Sequence, residues 1–195
     1  MKNIGLYVVL GLILLLAGCG CGGYNNIVQQ DQAVKKVWGN VQNQYQRRTD
    51  LIPNLVNTVK GAANFEQSTL TQVIEARAKA TSTTINANDL TPENVQKFQQ
   101  AQGQLSGAMS RLLVTVENYP DLKANANFQS LMAELAGTEN RINAARVDFN
   151  GAVETYNTTI KTVPNVFFAG IFGYKEKGFF AAEAGAEKAP SVDFK

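Results

Sequence analysis

The sequence predicts an all-α fold, an antiparallel up-and-down four-helix bundle behind an N-terminal membrane-anchoring segment. Three observations predict it. After Tyr24 the hydrophobic residues recur at three- and four-residue spacing, the period of helices with one buried face. Few alternating β-branched runs compete with that period, and Gly and Pro are sparse within the periodic segments. The first residues form an apolar run closing on Leu16-Ala17-Gly18-Cys19, the order of a secretory signal followed by a small-residue cleavage site. With 195 residues and 45% hydrophobic content, the chain can bury one domain-sized core. Residues 1–23 are the targeting or anchoring segment, 24–163 the bundle, and 164–195 an aromatic, Gly/Ala-rich tail.

The segment opens with Met1-Lys2-Asn3 and is apolar from Ile4 to Leu16. As a lipobox it places the thiol of Cys19 as the lipidation site, where two acyl chains would anchor the protein stably. As an uncleaved single-pass helix, Ile4 to Tyr24 is long enough to span a bilayer. Lys35 and Lys36 match Lys2, so charge does not choose an orientation. Both alternatives most simply put the bundle outside the cytoplasm, tethered to the cell membrane.

A first helix is expected from about Asn25 to Arg48, with Ile27, Val34, Val37, Trp38, Val41 and Tyr45 on one stripe. Asp50 reads as an N-cap with Pro53 in the first turn of a second helix that runs to about Ala80. The alternative joins these two helices into one kinked rod. Thr81 to Asn88 is a polar loop, and Thr91-Pro92 starts a third helix. Val95, Phe98, Gln102, Leu105, Met109, Leu112, Val116 and Tyr119 then follow a seven-residue repeat, which Pro120 breaks. A fourth helix runs from Asp121 or Lys123 to Thr162, before Pro164. Short connections at Asp50 and Pro120 make neighbouring helices antiparallel. Those two turns should lie far from the membrane, and the Thr81–Asn88 loop and the tail near it.

Composition narrows the chemistry. Lys and Arg number 18 against 16 Asp and Glu, with no His. That near-neutral balance argues against nucleic acid as a partner, and the missing imidazole removes the commonest general base and transition-metal ligand. Glu66 and Glu139 count to similar depths in their helices, as inward carboxylates do in di-metal bundles. Such bundles also need Glu-x-x-His motifs, and the matching positions here are Thr69 and Ile142. No metal, cofactor or catalytic residue is expected. Glu66, Gln102 and Glu139 are instead expected to form a buried polar layer that fixes helix register.

Arg47, Arg48, Asp50 and Pro53 have two readings. Asp50 caps free N–H groups while the arginines face the negative end of the first helix, or the four form a partner-docking surface. In the tail, Phe167, Phe168, Phe172, Phe179 and Phe180 are interleaved with Gly and Lys, a composition found at lipid interfaces. The alternative folds these rings over the open end of the bundle.

The longest motif is Arg47-Arg48-Thr49-Asp50-Leu51-Ile52-Pro53-Asn54-Leu55-Val56-Asn57-Thr58-Val59-Lys60-Gly61. Together with Tyr24-Asn25-Asn26-Ile27-Val28, Trp38, Glu117-Asn118-Tyr119-Pro120-Asp121-Leu122-Lys123-Ala124, Glu139-Asn140-Arg141-Ile142, Ala145-Arg146 and Tyr156-Asn157, it resembles the LemA family. The resemblance covers nearly everything after the membrane segment. It implies an envelope protein with one N-terminal membrane segment, a four-helix bundle and no known enzymatic activity. It also implies links to membrane-associated complexes and, in a magnetosome relative, to membrane organisation. Leu16-Ala17-Gly18-Cys19 departs from the plain anchor helix usual in that family. The resulting expectation is a non-enzymatic scaffold or adaptor whose partners are membrane lipid and unidentified envelope proteins, with a homo-oligomer left open. The alternative is a membrane-organising protein that contacts lipid through its aromatic tail.

Overall fold

The computed structural model describes residues 4–61 and 65–182, with side chains from residue 22 onward. Every regular element among them is a helix: α1 (Ile4–Lys60), α2 (Gln67–Ser82), α3 (Pro92–Val116), α4 (Pro120–Lys123), α5 (Ala126–Lys161) and α6 (Asn165–Phe172). The all-α prediction holds. Among the described residues no helix is long and apolar enough to cross a membrane. The side chains of the apolar segment, Cys19 included, lie outside the described residues.

The turn expected at Asp50 is absent. α1 is one helix of 57 residues, about 86 Å long at 1.5 Å per residue. It passes through Pro53 and stops at Gly61. Pro53 has no N–H for the carbonyl four residues back, at Thr49. That carbonyl instead accepts a 2.8 Å hydrogen bond from Arg77 Nε of α2. The apolar seam also continues in phase, because Ile52, Leu55 and Val59 are fully buried beyond the proline. The joined rod is therefore the arrangement found, and the second expected helix shrinks to the 16 residues of α2.

The other boundaries follow local chemistry. The Thr91 side chain accepts from the Asn94 N–H with Pro92 at the first helical position, and so opens α3. Pro120 starts the single turn of α4, and Asn125 caps α5 by accepting from the N–H groups of Asn127 and Phe128. Trp38 faces Phe149 at 5.3 Å and Arg47 reaches Glu134 at 2.8 Å, so α1 and α5 run antiparallel. Arg111 bonds Gln72 and Gln102 bonds the Ala80 carbonyl, so α2 and α3 are antiparallel too.

The 16 residues of α2 cover only about 24 Å. The loop after it therefore stops partway down the body, where Gln42 donates to the Ile85 carbonyl. It does not reach the end of the body where α1 enters it near Tyr24, as the equal-length bundle required. Below that level α1 and α5 are joined by α6 and by the extended tail 174–181.

Two hydrophobic clusters result. The first gathers Ile27, Val34, Trp38, Val41 and Tyr45 with Phe98, Ile142, Phe149, Val153, Tyr156 and the tail's Phe180. The second gathers Ile52, Leu55 and Val59 with Leu70, Val73, Leu105, Leu112, Leu122, Phe128 and Leu135.

Candidate functional site

A polar layer separates the two clusters. Arg48 of α1 is 5% exposed. Its guanidinium donates to Gln102 Oε1 at 2.5 Å, the Gln102 carbonyl at 3.3 Å and Ser106 Oγ at 3.1 Å, and pairs with Glu139 at 3.3 Å. It also lies 5.0 Å from the centre of the Tyr45 ring. Gln102 donates in turn to the Ala80 carbonyl, one of the last-turn carbonyls that α2 cannot satisfy internally. One chain of bonds thus ties α1, α2, α3 and α5 at a single level. Arg48, Gln102, Ser106 and Glu139 also line an open cleft of about 390 Å³ with Gln99 and Arg146.

Glu66 does not belong to this layer. The helix expected to carry it inward does not begin at Asp50, so Glu66 is the exposed N-cap residue of α2 at the far tip, bonded to Ser68. Gln102 is buried, and the Glu139 side chain is 45% exposed. Arg48 was missed as the third member, although the sequence carried a signal. Ile27, Asp31, Val34, Trp38, Val41, Tyr45, Arg48, Ile52, Leu55 and Val59 form one seam at alternating four- and three-residue steps, every member buried.

The four residues expected at a docking turn are dispersed along the helix. Arg47 is exposed and paired with Glu134, Arg48 is inside the layer, exposed Asp50 accepts from Gln46 at 2.7 Å, and Pro53 is half-buried mid-helix. With Arg48 buried the four present no common surface. The far tip is made instead by Gly61 and the 118–125 connection, where Thr58, Tyr119, Pro120 and Leu122 line a cleft of about 440 Å³.

The five tail phenylalanines divide. Phe180 is 4% exposed, within 5.3 Å of Phe149 and 6.1 Å of Trp38, with the Arg146 guanidinium over its ring. It is a core residue, and the membrane-interface expectation is corrected there: the hydrophobic cluster, left open beside the start of α3, is the nearest apolar medium. Phe168 is half-buried beside Gly23. Phe167, Phe172 and Phe179 are exposed, as are Val163, Val166 and Ile171 around α6. The Tyr24 ring packs against Phe172 at 4.8 Å, tilted by 54°, which sets this apolar face where α1 leaves the apolar segment.

The tail is fixed by a buried charge cluster. Asp31 takes Lys177 at 2.9 Å and Lys35 at 2.6 Å. Burial pushes the Asp31 carboxyl upward, but its bonds and charge interactions with Lys35 and Lys177 outweigh that and hold it below the usual carboxylate range. The Lys177 amine also lies over Tyr156, whose hydroxyl donates to the Lys175 carbonyl. Burial, with the Asp31 charge nearby, raises the Tyr156 phenol. Among the described residues no group of three or more His, Cys, Asp or Glu could hold a metal ion.

The sequence profile described as the LemA family matches residues 37–194, which is most of the chain and takes in the layer, the far tip and the tail. The chain belongs to the LemA family. It is 26% identical over 178 residues to "Magnetosome protein MamQ 2" of Paramagnetospirillum magneticum, covering 80% of this chain and 64% of that protein. "Magnetosome protein MamQ" of Magnetospirillum gryphiswaldense is 34% identical over 80 residues, covering 41% and 29%. "Protein LemA" of Metamycoplasma hominis is 23% identical over 141 residues, covering 72% and 61%. The chain thus spans 64% of the length of the first of these magnetosome relatives and 61% of that LemA protein.

Proposed function

We propose that this LemA-family protein is a membrane-tethered, non-enzymatic scaffold whose helices form one four-helix bundle held outside the cytoplasm. The continuity of α1 carries the proposal. One helix runs from the apolar N-terminal segment through both hydrophobic clusters to the far tip at Gly61. Force or position at the membrane is therefore transmitted through a rod rather than a flexible linker. The polar layer supports the same reading, because Arg48 cross-links the bundle at mid-height. Partners would be envelope proteins bound along the body or at the tip.

Crosslinking in cells, with affinity capture of the intact protein, tests this. A defined set of envelope proteins should be retained by the full chain and lost from a control carrying residues 1–24 on an unrelated helical domain. Equal capture by both would refute the scaffold role. The tether itself is either a diacylglyceryl group on Cys19 or the uncleaved helix. Mass spectrometry of the membrane-extracted protein decides between them, since an N-terminus at Met1 rules out the lipid.

A second reading, direct organisation of lipid, is favoured by one observation. Val163, Val166, Phe167, Ile171 and Phe172 are exposed on and beside α6, next to Tyr24. An apolar helix face at that height suits the boundary between headgroups and acyl chains. Flotation with anionic liposomes should fall when Phe167, Ile171 and Phe172 are changed to Ser in a chain starting at Tyr24. Unchanged flotation, or none from the parent, would leave membrane contact to the N-terminal segment alone.

A further inference from the structure

The segment Lys177–Ala181 is bound to the helices in the manner of a peptide ligand. It makes no helix of its own. Three side-chain carboxamides each grip both polar groups of one of its residues. Asn157 accepts from the Lys177 N–H at 2.9 Å and donates to the Lys177 carbonyl at 2.9 Å. Asn150 does the same for Phe180, at 2.9 and 3.0 Å. Gln99 does it for Ala181, at 3.0 and 2.8 Å. The Leu90 carbonyl takes the Gly178 N–H at 2.9 Å.

Side chains add specificity to this backbone grip. Asp31 receives the Lys177 amine. Phe180 fills the space between Trp38, Phe98 and Phe149. Gly178 is required by contact, since a Cβ there would lie 2.6 Å from Pro92 Cα and 3.0 Å from Pro92 N. Exposed Phe179 is not read. The groove between α3 and α5 therefore selects an extended Lys-Gly-x-Phe segment. Asn and Gln groups in rigid helices that pair with peptide backbone units are suited to binding an extended chain at low ordering cost.

We propose that this groove is a peptide-binding site for the Lys177–Ala181 segment of a second copy of the chain, and that exchange of tails links neighbouring tethered copies. The occupant follows from the fit already present, because each copy carries the same segment. Exchanged contacts would equal the internal ones, so a swap costs little. The connection through Gly173, Lys175 and Glu176 is exposed, and copies tethered to one membrane share orientation and a high local concentration. The proposal goes beyond the scaffold reading and is tested without envelope partners or lipid.

Two full-length variants in detergent test it by complementation. Gly178→Val keeps the groove but spoils the tail. Asp31→Lys with Asn157→Ala keeps the tail but spoils the groove. Differently labelled and mixed, they should give energy transfer between copies that neither gives alone. A labelled peptide of residues 174–182 should bind the Gly178→Val chain and quench its Trp38 emission, and the same peptide with Gly178→Val should bind at least about tenfold more weakly, a difference of about 1.4 kcal/mol. No transfer on mixing, or equal binding of both peptides, overturns the proposal. If the Gly178→Val chain loses its helical signal, native-state hydrogen exchange on the unaltered protein decides. Amides of Lys177, Phe180 and Ala181 opening while those of α5 stay protected supports exchange, whereas opening only together with α5 makes the tail fixed core and refutes it.

Discussion

The hydrogen bond from Arg77 to the Thr49 carbonyl explains how α1 passes through Pro53, and its energy can be isolated. Arg77→Leu leaves a carbonyl without a donor in a residue only 4% exposed. An unsatisfied buried acceptor costs about 1 to 3 kcal/mol. For a domain of this size each kcal/mol moves the melting temperature by about 2 to 4 °C. Pro53→Ala restores an N–H to the same carbonyl, so in that background Arg77→Leu should cost little. The full double-mutant cycle, from thermal or urea unfolding of the detergent-solubilised chain followed by helical circular dichroism, should give a coupling of about 1 to 2 kcal/mol. If Arg77→Leu costs the same with proline or alanine at 53, within about 0.5 kcal/mol, the arginine is not replacing the missing amide. The continuous helix would then owe its passage through Pro53 to packing alone.

Three further outcomes are expected. Glu139→Ala removes the counter-charge of buried Arg48, but Glu139 is 45% exposed and water can enter, so the loss should be about 1 to 2 kcal/mol rather than the roughly 3 to 5 of a sealed pair; a loss at the upper figure, read by urea denaturation, would show that the site stays dry. The Asp31 carboxyl is held below its ordinary value of about 3.9, so its stabilisation is complete above that pH and disappears as pH falls through the depressed folded value. Lys35 and Lys177 bond it and Tyr156 and Tyr174 feel its charge, so tail protection in hydrogen exchange should begin to weaken as pH drops below about 4 in the native chain and be lost as the carboxyl protonates. Asp31→Asn should flatten that profile, and an unaltered profile would assign the acid step to another carboxylate. Glu66→Leu should change stability by no more than about 0.5 kcal/mol, because the residue is exposed at the tip; a larger thermal shift would return Glu66 to the interior.

The sequence by itself determined that the chain is helical, where α3 begins, and which residues of α3 face inward. Those properties are local: Thr91 and Pro92 cap and open α3 from four residues of chain, and Phe98, Leu105 and Leu112 show their face by spacing alone. It also contained the seam from Ile27 to Val59, with Asp31 and Arg48 as its two charged members, once α1 is taken as unbroken. The course of α1 through Pro53 was decided by the tertiary structure. Whether that proline ends or continues a helix depends on a donor for Thr49, and Arg77 is 28 residues away. That one displacement moved the tip to Gly61, exposed Glu66 and shortened α2, leaving an open side of the first cluster that Phe180 fills. The partners of Asp31 and of Asn157 in the tail were likewise not readable from spacing. A salt bridge between Asp31 and Lys177, or a carboxamide gripping a distant peptide unit, arises only when α1, α3 and α5 have packed and fixed the distance between them.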